Sequence, residues 1–440
     1  MIVPSARLVA ITAAVLFPAA ALGALAPGTA GTLAVVAGLL AAAAAVDAWL
    51  APRALDALRL ELPPLLRMTK DREAQLEVRL ANERAGARTV RVGVPLPENV
   101  TSPADEVLTR LPEAQPLSKV ALSLTASRRG SYRLTRGHLE GSSPLGLWLA
   151  RSSAPVDTEL RVYPNLLSER KSVAALFLNQ GATGIHAQRQ VGRGRDFEKL
   201  REYVPGDDYG EIHWKATARR GRPVTKVFQI ERTQEVYVVL DASRLSGRTE
   251  DGVSALERFV NAALLLALAA ERQGDLFGLV TFSDQVHGFV RAKGGKPHFQ
   301  TCRDALYRLH PRVVTPSFEE LFTFLRTRLR RRALLLVLTA LDDPALAESF
   351  EKASSLVARQ HLVFVNALPP RGVRPLFTGE PAATVDEVYD ALGGHLQWQG
   401  LKELSKRLHR RGVTLSLLQH ESFAAKLVTE YVSIKRRQIL

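Results

Sequence analysis

The sequence predicts a mixed α/β plus β fold: an N-terminal transmembrane helical hairpin, a β-sandwich domain and a C-terminal doubly wound parallel α/β domain. Three features of the pattern predict it. Two long apolar segments open the chain, short segments of alternating polarity follow, and strand-like and helix-like segments then alternate to the C-terminus. We place the hairpin at residues 1–52, the sandwich at 53–165, a basic linker at 166–232 and the α/β domain at 233–440.

The composition excludes two classes of protein. The chain has 440 residues with a formal net charge of +15, and 46% of its residues are hydrophobic. This balance excludes a wholly disordered tail. The single cysteine, Cys302, cannot form an internal disulfide, which excludes a small protein stabilised by disulfides. A lone cysteine fits a reducing compartment, and we expect Cys302 to be buried and inert.

The hairpin is predicted from two apolar segments. Leu8 to Ala26 contains no charge, and the second segment runs from Ala30 to Leu50 with Asp47 as its only interruption. A membrane-spanning helix needs about 20 apolar residues, so each segment is long enough to cross a bilayer. Only the turn Ala26-Pro27-Gly28-Thr29 separates them, which predicts a tight hairpin in contact with lipid.

Basic residues predict the orientation of the hairpin. Arg7 precedes the first segment, the turn has no basic residue, and five follow the second segment: Arg53, Arg59, Arg67, Lys70 and Arg72. Cytoplasmic flanks are rich in Lys and Arg, so both ends and the bulk of the chain should be cytoplasmic in a multi-pass protein. The alternative is a cleaved signal peptide ending near Ala24-Leu25-Ala26.

The segment between Leu55 and Val162 predicts antiparallel sheet. Polarity alternates with period two in residues 74–80 and 120–124, and Pro, Gly, Asn and Asp separate the runs. A sandwich of about a hundred residues is the natural architecture for such a pattern. Its titratable residues do not cluster in a catalytic arrangement, so we expect a role in binding or spacing.

The basic linker contains a dense motif with three interpretations. A phosphate-binding loop at Gly192-Arg193-Gly194 has the wrong spacing for a dinucleotide fingerprint or a P-loop. A hydrolase would use the cluster Asp207, Asp208, Glu211 and His213. A nucleic-acid-binding module would use Arg193, Arg195, Arg219, Arg220 and Arg222 with Phe197, Tyr203 and Trp214. Carboxylates in turns usually cap helices or pair with Arg, which favours a structural role and argues against a nucleic-acid partner.

The same stretch resembles the signature of the bacterial domain-of-unknown-function 58 (DUF58) family. The motif residues are Arg201, Tyr203, Pro205, Gly206, Asp207, Asp208, Trp214, Lys215 and Arg219. Further matches precede them at Arg129-Gly130-x-Tyr132, Ser143-Pro144-x-Gly146-Leu147 and Val162-Tyr163-Pro164. Members of the family have no established enzymatic activity, are often encoded beside MoxR-type AAA+ ATPases, and carry a von Willebrand factor A-like domain after the motif. The resemblance therefore implies a non-enzymatic protein of the bacterial cytoplasmic (inner) membrane with an AAA+ ATPase as partner.

The residues after the motif independently predict an α/β domain. Predicted strands are Val236–Leu240, Leu276–Phe282, Leu334–Thr339, His361–Ala367 and Val413–Leu418, and predicted helices include Ala255–Gln273 and Phe423–Arg436. Strands that alternate with helices indicate a parallel sheet covered on both faces. Ligands of such folds bind beyond the carboxyl ends of the strands.

The resemblance also implies a metal site at that edge, in a degenerate form. Von Willebrand A-like domains carry an Asp-x-Ser-x-Ser motif, a Thr from a later loop and a further Asp. Here Asp241, Ser243 and Thr315 match, but Leu245 replaces the second Ser and Ala340 stands where the last Asp should be. Mg²⁺ needs a nearly complete shell of oxygen ligands. We therefore predict no cofactor, with weak Mg²⁺ binding as the alternative if Ser246, Asp342 or Asp343 substitutes.

Taken together, the sequence predicts a membrane-anchored adaptor or scaffold. No nucleotide-binding loop occurs in the chain, so the energy for any mechanical work must come from a partner. The hydrolase and the nucleic-acid-binding module remain the alternatives, and the oligomeric state is not predicted.

Overall fold

A computed structural model describes residues 1–83, 88–104, 106–112, 115–167, 191–205, 207–229, 234–370, 372–378, 384–418 and 422–436. Gly206 of the motif and much of the predicted linker lie outside these ranges. The chain divides into two compact units, Met1–Asn165 and Leu166–Leu440.

The first unit contains two apolar helices and ten strands among its described residues. The helices are α1 (Ala6–Leu25) and α2 (Ala30–Leu50). The strands are β1 (Ile2–Pro4), β2 (Leu58–Glu61), β3 (Leu65–Thr69), β4 (Glu73–Asn82), β5 (Arg88–Gly93), β6 (Val100–Thr101), β7 (Glu106–Leu111), β8 (Leu117–Ala126), β9 (Gly130–Ser142) and β10 (Trp148–Tyr163).

These strands form two sheets around one core. One sheet has the order β1-β10-β9-β5-β7 with β3 beside β10, and the other has the order β2-β4-β8-β6. Alternate residues of both sheets enter the shared core, for example Leu76, Val78 and Leu80 of β4, as the period-two pattern predicts. One pairing departs from the antiparallel prediction, because β3 runs parallel to β10.

One helix among the described residues, covering Gly31–Ala54, is long and apolar enough to cross a bilayer, and Ala6–Leu22 is a shorter apolar helix. Pro18 lies inside α1, and many apolar side chains of both helices are exposed. Length and composition therefore support membrane association through this N-terminal region.

The second unit is a mixed α/β structure. Its strands are β11 (Val191–Glu202), β12 (Val224–Gln229), β13 (Glu235–Asp241), β14 (Thr249–Glu250), β15 (Val253–Ser254), β16 (Leu276–Phe282), β17 (Val286–Lys293), β18 (Ala333–Thr339), β19 (Leu362–Ala367) and β20 (Val413–Leu417). Its helices are α3 (Trp214–Arg220), α4 (Ala255–Arg272), α5 (Lys296–Leu306), α6 (Phe318–Arg328), α7 (Pro344–Ala358), α8 (Val385–Arg410) and α9 (Phe423–Arg436).

The central sheet of this unit has the order β17-β16-β13-β18-β19-β20. The strands are parallel except for β17, an antiparallel edge strand that the sequence pattern did not predict. Side chains of β13 alternate between two cores: Val236, Val238 and Leu240 pack with α4 and α9, whereas Tyr237 and Val239 pack with α6 and α7. Both faces of the sheet are thus covered, which explains why its strands are almost continuously apolar.

The predicted irregular linker is partly regular. Strands β11 and β12 pair as an antiparallel hairpin, and α3 lies between them in sequence. Gly221 ends α3 in the left-handed conformation with φ of 68°, as its position after the helix predicts. We call residues 200–226 the motif hairpin, since most of the DUF58-like residues lie in it.

Candidate functional site

The carboxyl edge of the central sheet brings Asp241 and Thr339 together. Asp241 ends β13, and Thr339 ends the neighbouring strand β18. Thr339 Oγ1 donates a hydrogen bond of 2.6 Å to one carboxylate oxygen of Asp241, and the Ser243 N–H donates to the other at 2.8 Å. The sequence analysis missed Thr339, although a hydroxyl at the end of an apolar strand was a signal for it.

Burial shifts the pKa of Asp241. The carboxyl group is almost completely inaccessible to solvent, and this burial raises its pKa above the ordinary range. The hydrogen bonds from Thr339 and from the side chain and backbone of Ser243 act in the opposite direction because they stabilise the ionised form. The site therefore holds a carboxyl group for which a nearby positive charge would be favourable.

The remaining predicted ligands do not complete a metal shell. Ser243 is buried, and its side chain lies beside Asp241, where it helps to stabilise the ionised carboxylate. Leu245 and Ala340 are buried and line one small cavity, so apolar groups stand where the resemblance places oxygen ligands. Thr315 lies on an exposed loop beside Ser243, since the Arg244 N–H donates to Val314 O at 3.1 Å.

The two aspartates that were expected as substitutes have other roles. Asp342 forms an ion pair with Arg248 at 2.5 Å, and Asp343 caps α7 by accepting from the N–H groups of Ala345 and Leu346. Among the described residues, the predicted ligands thus offer one carboxylate that is already hydrogen-bonded, from Asp241, and the two hydroxyls of Ser243 and Thr315. This set does not fit the octahedral oxygen shell of Mg²⁺.

We expect titration of the full chain with Mg²⁺ or Mn²⁺ to give no calorimetric signal in the range of intact von Willebrand A-type sites. The double variant Leu245→Ser with Ala340→Asp adds one hydroxyl and one carboxylate, so it should raise the affinity at least tenfold. Leu245→Val with Ala340→Val is the control, because it alters the same positions without adding oxygen ligands. Tight binding by the unmodified chain would contradict the prediction.

A second polar cluster lies in the loop after β16. Ser283 Oγ is 2.6 Å from His287 Nε2 and 2.6 Å from a carboxylate oxygen of Asp284. That carboxylate is 3.5 Å from the same ring nitrogen, whereas the acid of a catalytic triad binds the opposite nitrogen. Ser283 is also buried. The hydrogen bonds of this cluster therefore stabilise the loop, and Ser283 is unsuited to nucleophilic attack.

Asp207 organises the motif hairpin. Its carboxylate accepts from Arg201 at 2.6 Å, from the Val204 N–H at 3.1 Å and from the Thr225 hydroxyl at 3.4 Å. The Val204 hydrogen bond, aided by the Arg201 guanidinium, holds the pKa of Asp207 below its ordinary value. The carboxylate joins the turn after β11 to β12, which explains the aspartate at position 207.

Two other members of the predicted hydrolase cluster cap short helical segments. Asp208 accepts from the Gly210 N–H at the start of a 3-10 turn, and His213 Nδ1 accepts from the Ala216 N–H at the start of α3. These contacts and the Asp207 ion pair favour a structural role for the cluster. The pairing of Arg222 with Glu202 likewise reduces the positive charge that a nucleic-acid-binding surface requires.

Two of the three aromatic residues of the motif hairpin, Tyr209 and Trp214, are exposed, and Tyr203 is half-buried. Trp214 is 68% exposed and Tyr209 is 73% exposed, and Tyr209 stacks on Tyr203 with ring centroids 5.8 Å apart. Trp214 is thus not a buried core residue, contrary to what its residue type predicts. Exposed Trp and Tyr side chains are the residue types that most often dominate protein–protein interfaces.

The first unit contains a different kind of site, around Asp47. This residue is fully buried although it lies in the apolar helix α2. Its carboxylate accepts from the Ser143 hydroxyl at 2.5 Å and from the N–H groups of Leu145 and Leu147 at 3.0 and 3.1 Å. The sequence analysis treated Asp47 only as an interruption of the span.

The loop that holds Asp47 is the DUF58-like segment Ser143-Pro144-Leu145-Gly146-Leu147. The indole N–H of Trp148, just after it, donates to Ala44 O in α2 at 2.8 Å. Ser5 before α1 donates two hydrogen bonds, from its hydroxyl to Gly146 O and from its N–H to Leu147 O. Gly146 has φ of 73°, which favours glycine in this turn. These contacts thus attach both apolar helices to the two β-sheets formed by β1–β10, which we call the β-sheet unit. The attachment lies at the end where α1 begins and α2 ends.

Comparison with known proteins supports the DUF58 resemblance over part of the chain. The family model described as "Protein of unknown function DUF58" matches residues 199–375. This range includes the motif hairpin and the sheet edge that carries Asp241.

The chain is also similar to two curated bacterial proteins. It is 24% identical to the uncharacterized protein Rv1480 of Mycobacterium tuberculosis over 195 residues, 43% of this chain and 60% of that protein. It is 24% identical to the uncharacterized protein YeaD of Bacillus subtilis over 175 residues, 39% of this chain and 41% of that protein. The matched region is therefore less than two thirds of the length of either relative.

Two solved structures resemble the chain weakly. The conserved hypothetical protein BatB from Bacteroides thetaiotaomicron has a TM-score of 0.31 and 14% identity, covering 46% of this chain and 99% of that one. An aerotolerance-related membrane protein from Bacteroides fragilis has a TM-score of 0.29 and 14% identity, covering 46% and 98%.

Proposed function

We propose that this protein is a membrane-anchored, non-enzymatic adaptor that presents a von Willebrand A-like domain in the cytoplasm to a MoxR-type AAA+ ATPase, in protein maturation or complex assembly. The observation that carries the proposal is the exposure of Trp214 and Tyr209. A motif whose carboxylates are used in internal contacts and whose aromatic side chains face solvent supports binding rather than catalysis.

The structure of the motif hairpin supports a preformed binding surface. Asp207 and Arg201 fix the turn, and His213 fixes the start of α3, which begins with Trp214. An exposed aromatic on an ordered scaffold loses little conformational entropy when a partner covers it. The proposal assigns the ATPase to this surface because the DUF58-like residues cluster there.

The contacts of Asp47 support the anchoring part of the proposal. An aspartate inside an apolar helix is costly in a bilayer unless its hydrogen bonds are satisfied, and here the β-sheet unit satisfies them. In our proposal α1 and α2 both cross the bacterial cytoplasmic membrane. The β-sheet unit then stands directly on its cytoplasmic face.

The topology can be tested with reporter fusions. We expect a reporter that is active only in the cytoplasm to be active when it is fused after Leu440, because basic residues flank both apolar helices on that side. In the turn at Gly28, by contrast, we expect activity from a reporter that works only in the periplasm and none from a reporter that works only in the cytoplasm. Periplasmic activity after Leu440, or release of the chain from membranes by signal peptidase, would contradict the proposed anchoring.

A further inference from the structure

An exposed apolar stripe runs along the first half of α8. Five large apolar side chains there are between 42% and 70% exposed: Val385, Val388, Tyr389, Leu392 and Leu396. Successive residues of an α-helix are rotated by about 100° around the helix axis, so these five positions lie within an arc of roughly 100° on one face. The buried residues of α8, Leu401, Leu404 and Leu408, lie in its second half and on the opposite face.

The first half of α8 is held in place by contacts with the loop that contains Gly372 and Leu376. The Leu376 N–H donates to His395 Nδ1 at 3.1 Å, and His395 stacks on Trp398 with ring centroids 5.7 Å apart. Gly394 is needed there, because a Cβ at this position would lie 2.0 Å from Gly372 O. The loop that contains Gly372 and Leu376 therefore supports the helix and leaves the stripe open.

We propose that this stripe is covered by the same stripe of a second copy of the chain, with the two α8 helices antiparallel. The exposed fractions amount to about 500 Å² per copy, so a pair buries roughly 1,000 Å², which reaches the lower bound for a specific interface. The stripe itself carries no charge, and helical spacing places Asp386, Glu387 and Asp390 on the other side of the helix. The contact therefore brings no charged side chains of the stripe against each other.

The spacing of the stripe is self-complementary in the antiparallel arrangement. When the two helices cross between Tyr389 and Leu392, these two residues face each other, and Val385 faces Leu396 of the second copy. Antiparallel pairing also opposes the two helix dipoles favourably, whereas parallel pairing does not.

Light scattering on the purified full chain in detergent tests the proposal. We expect a dimer, and the double variant Leu392→Glu with Leu396→Glu should be a monomer with an unchanged melting temperature, because both residues are exposed. Val313→Glu is the control, since Val313 is 94% exposed outside the stripe. A monomeric wild-type chain, or a dimer that survives the double variant, would overturn the proposal.

Disulfide trapping in membranes tests the antiparallel register. Cys302 is buried, and burial raises its pKa to about 12, so it should not react. Val385→Cys on one copy and Leu396→Cys on a differently tagged copy should form a mixed disulfide. Each variant alone should not, because antiparallel pairing separates identical positions by roughly 16 Å along the axis. Efficient trapping by Val385→Cys alone would overturn the antiparallel arrangement.

Discussion

Replacing Asp47 by leucine should separate the apolar helices from the β-sheet unit. The substitution leaves the Ser143 hydroxyl and the N–H groups of Leu145 and Leu147 without their buried acceptor. An unsatisfied buried polar group costs roughly 1–3 kcal/mol, so the three together should cost about 3 kcal/mol or more. We expect the amides of Leu145 and Leu147 to lose protection against hydrogen exchange and the loop to become sensitive to protease.

Two control variants isolate the role of the carboxylate. Val46→Ala changes a neighbouring residue that is 56% exposed, and it should leave exchange in the loop unchanged. Asp47→Asn keeps one acceptor oxygen and should give an intermediate effect. The account of the junction is wrong if Asp47→Leu preserves the exchange protection of both loop amides.

Replacing Asp207 by alanine should open the motif hairpin and abolish partner binding. The turn would lose its Arg201 ion pair and its hydrogen bonds from Val204 and Thr225. We expect faster hydrogen exchange at the Val204 amide and protease cleavage within residues 200–226. Asp207→Asn separates the two contributions, since it keeps an acceptor for Val204 and removes the charge that attracts Arg201.

The same contacts predict an acid-sensitive hairpin. The folded pKa of Asp207 is below the ordinary value of about 3.9 for an unfolded aspartate. The contribution of Asp207 to stability is therefore fully present above that ordinary value and is lost as the pH falls through the folded pKa. Exchange at the Val204 amide should rise in that acidic range in the wild type, and Asp207→Asn should show no such pH dependence.

The elements of the α/β domain could be predicted closely because their patterns are local. The strand Leu276–Phe282 and the helix Phe423–Arg436 begin and end where the sequence analysis placed them. Buried parallel strands read as continuous apolar runs, and helices have a distinct period. The sequence analysis missed strand β17 because its half-exposed residues form neither a continuous apolar run nor a helical period.

The sites could be predicted only in part, because tertiary contacts determine them. Asp47 reads as a flaw in an apolar segment until the loop from Ser143 to Leu147, almost a hundred residues away, is seen to surround it. Trp214 reads as a core residue by type, and only the fold shows that it is exposed. Thr339 meets Asp241 because their strands are neighbours in the sheet, which the sequence order does not indicate.

The most direct test of the adaptor function is a binding titration. The full chain in lipid nanodiscs would be titrated with a purified MoxR-type AAA+ ATPase, and the dissociation constants of wild type, Trp214→Ala and Phe377→Ala would be compared. Phe377 is the matched control because it is 96% exposed outside the motif hairpin. Our account predicts binding by the wild type and by Phe377→Ala, and an affinity at least about tenfold weaker for Trp214→Ala, as for an interface hot spot. No binding by the wild type, or equal binding by Trp214→Ala, would contradict it.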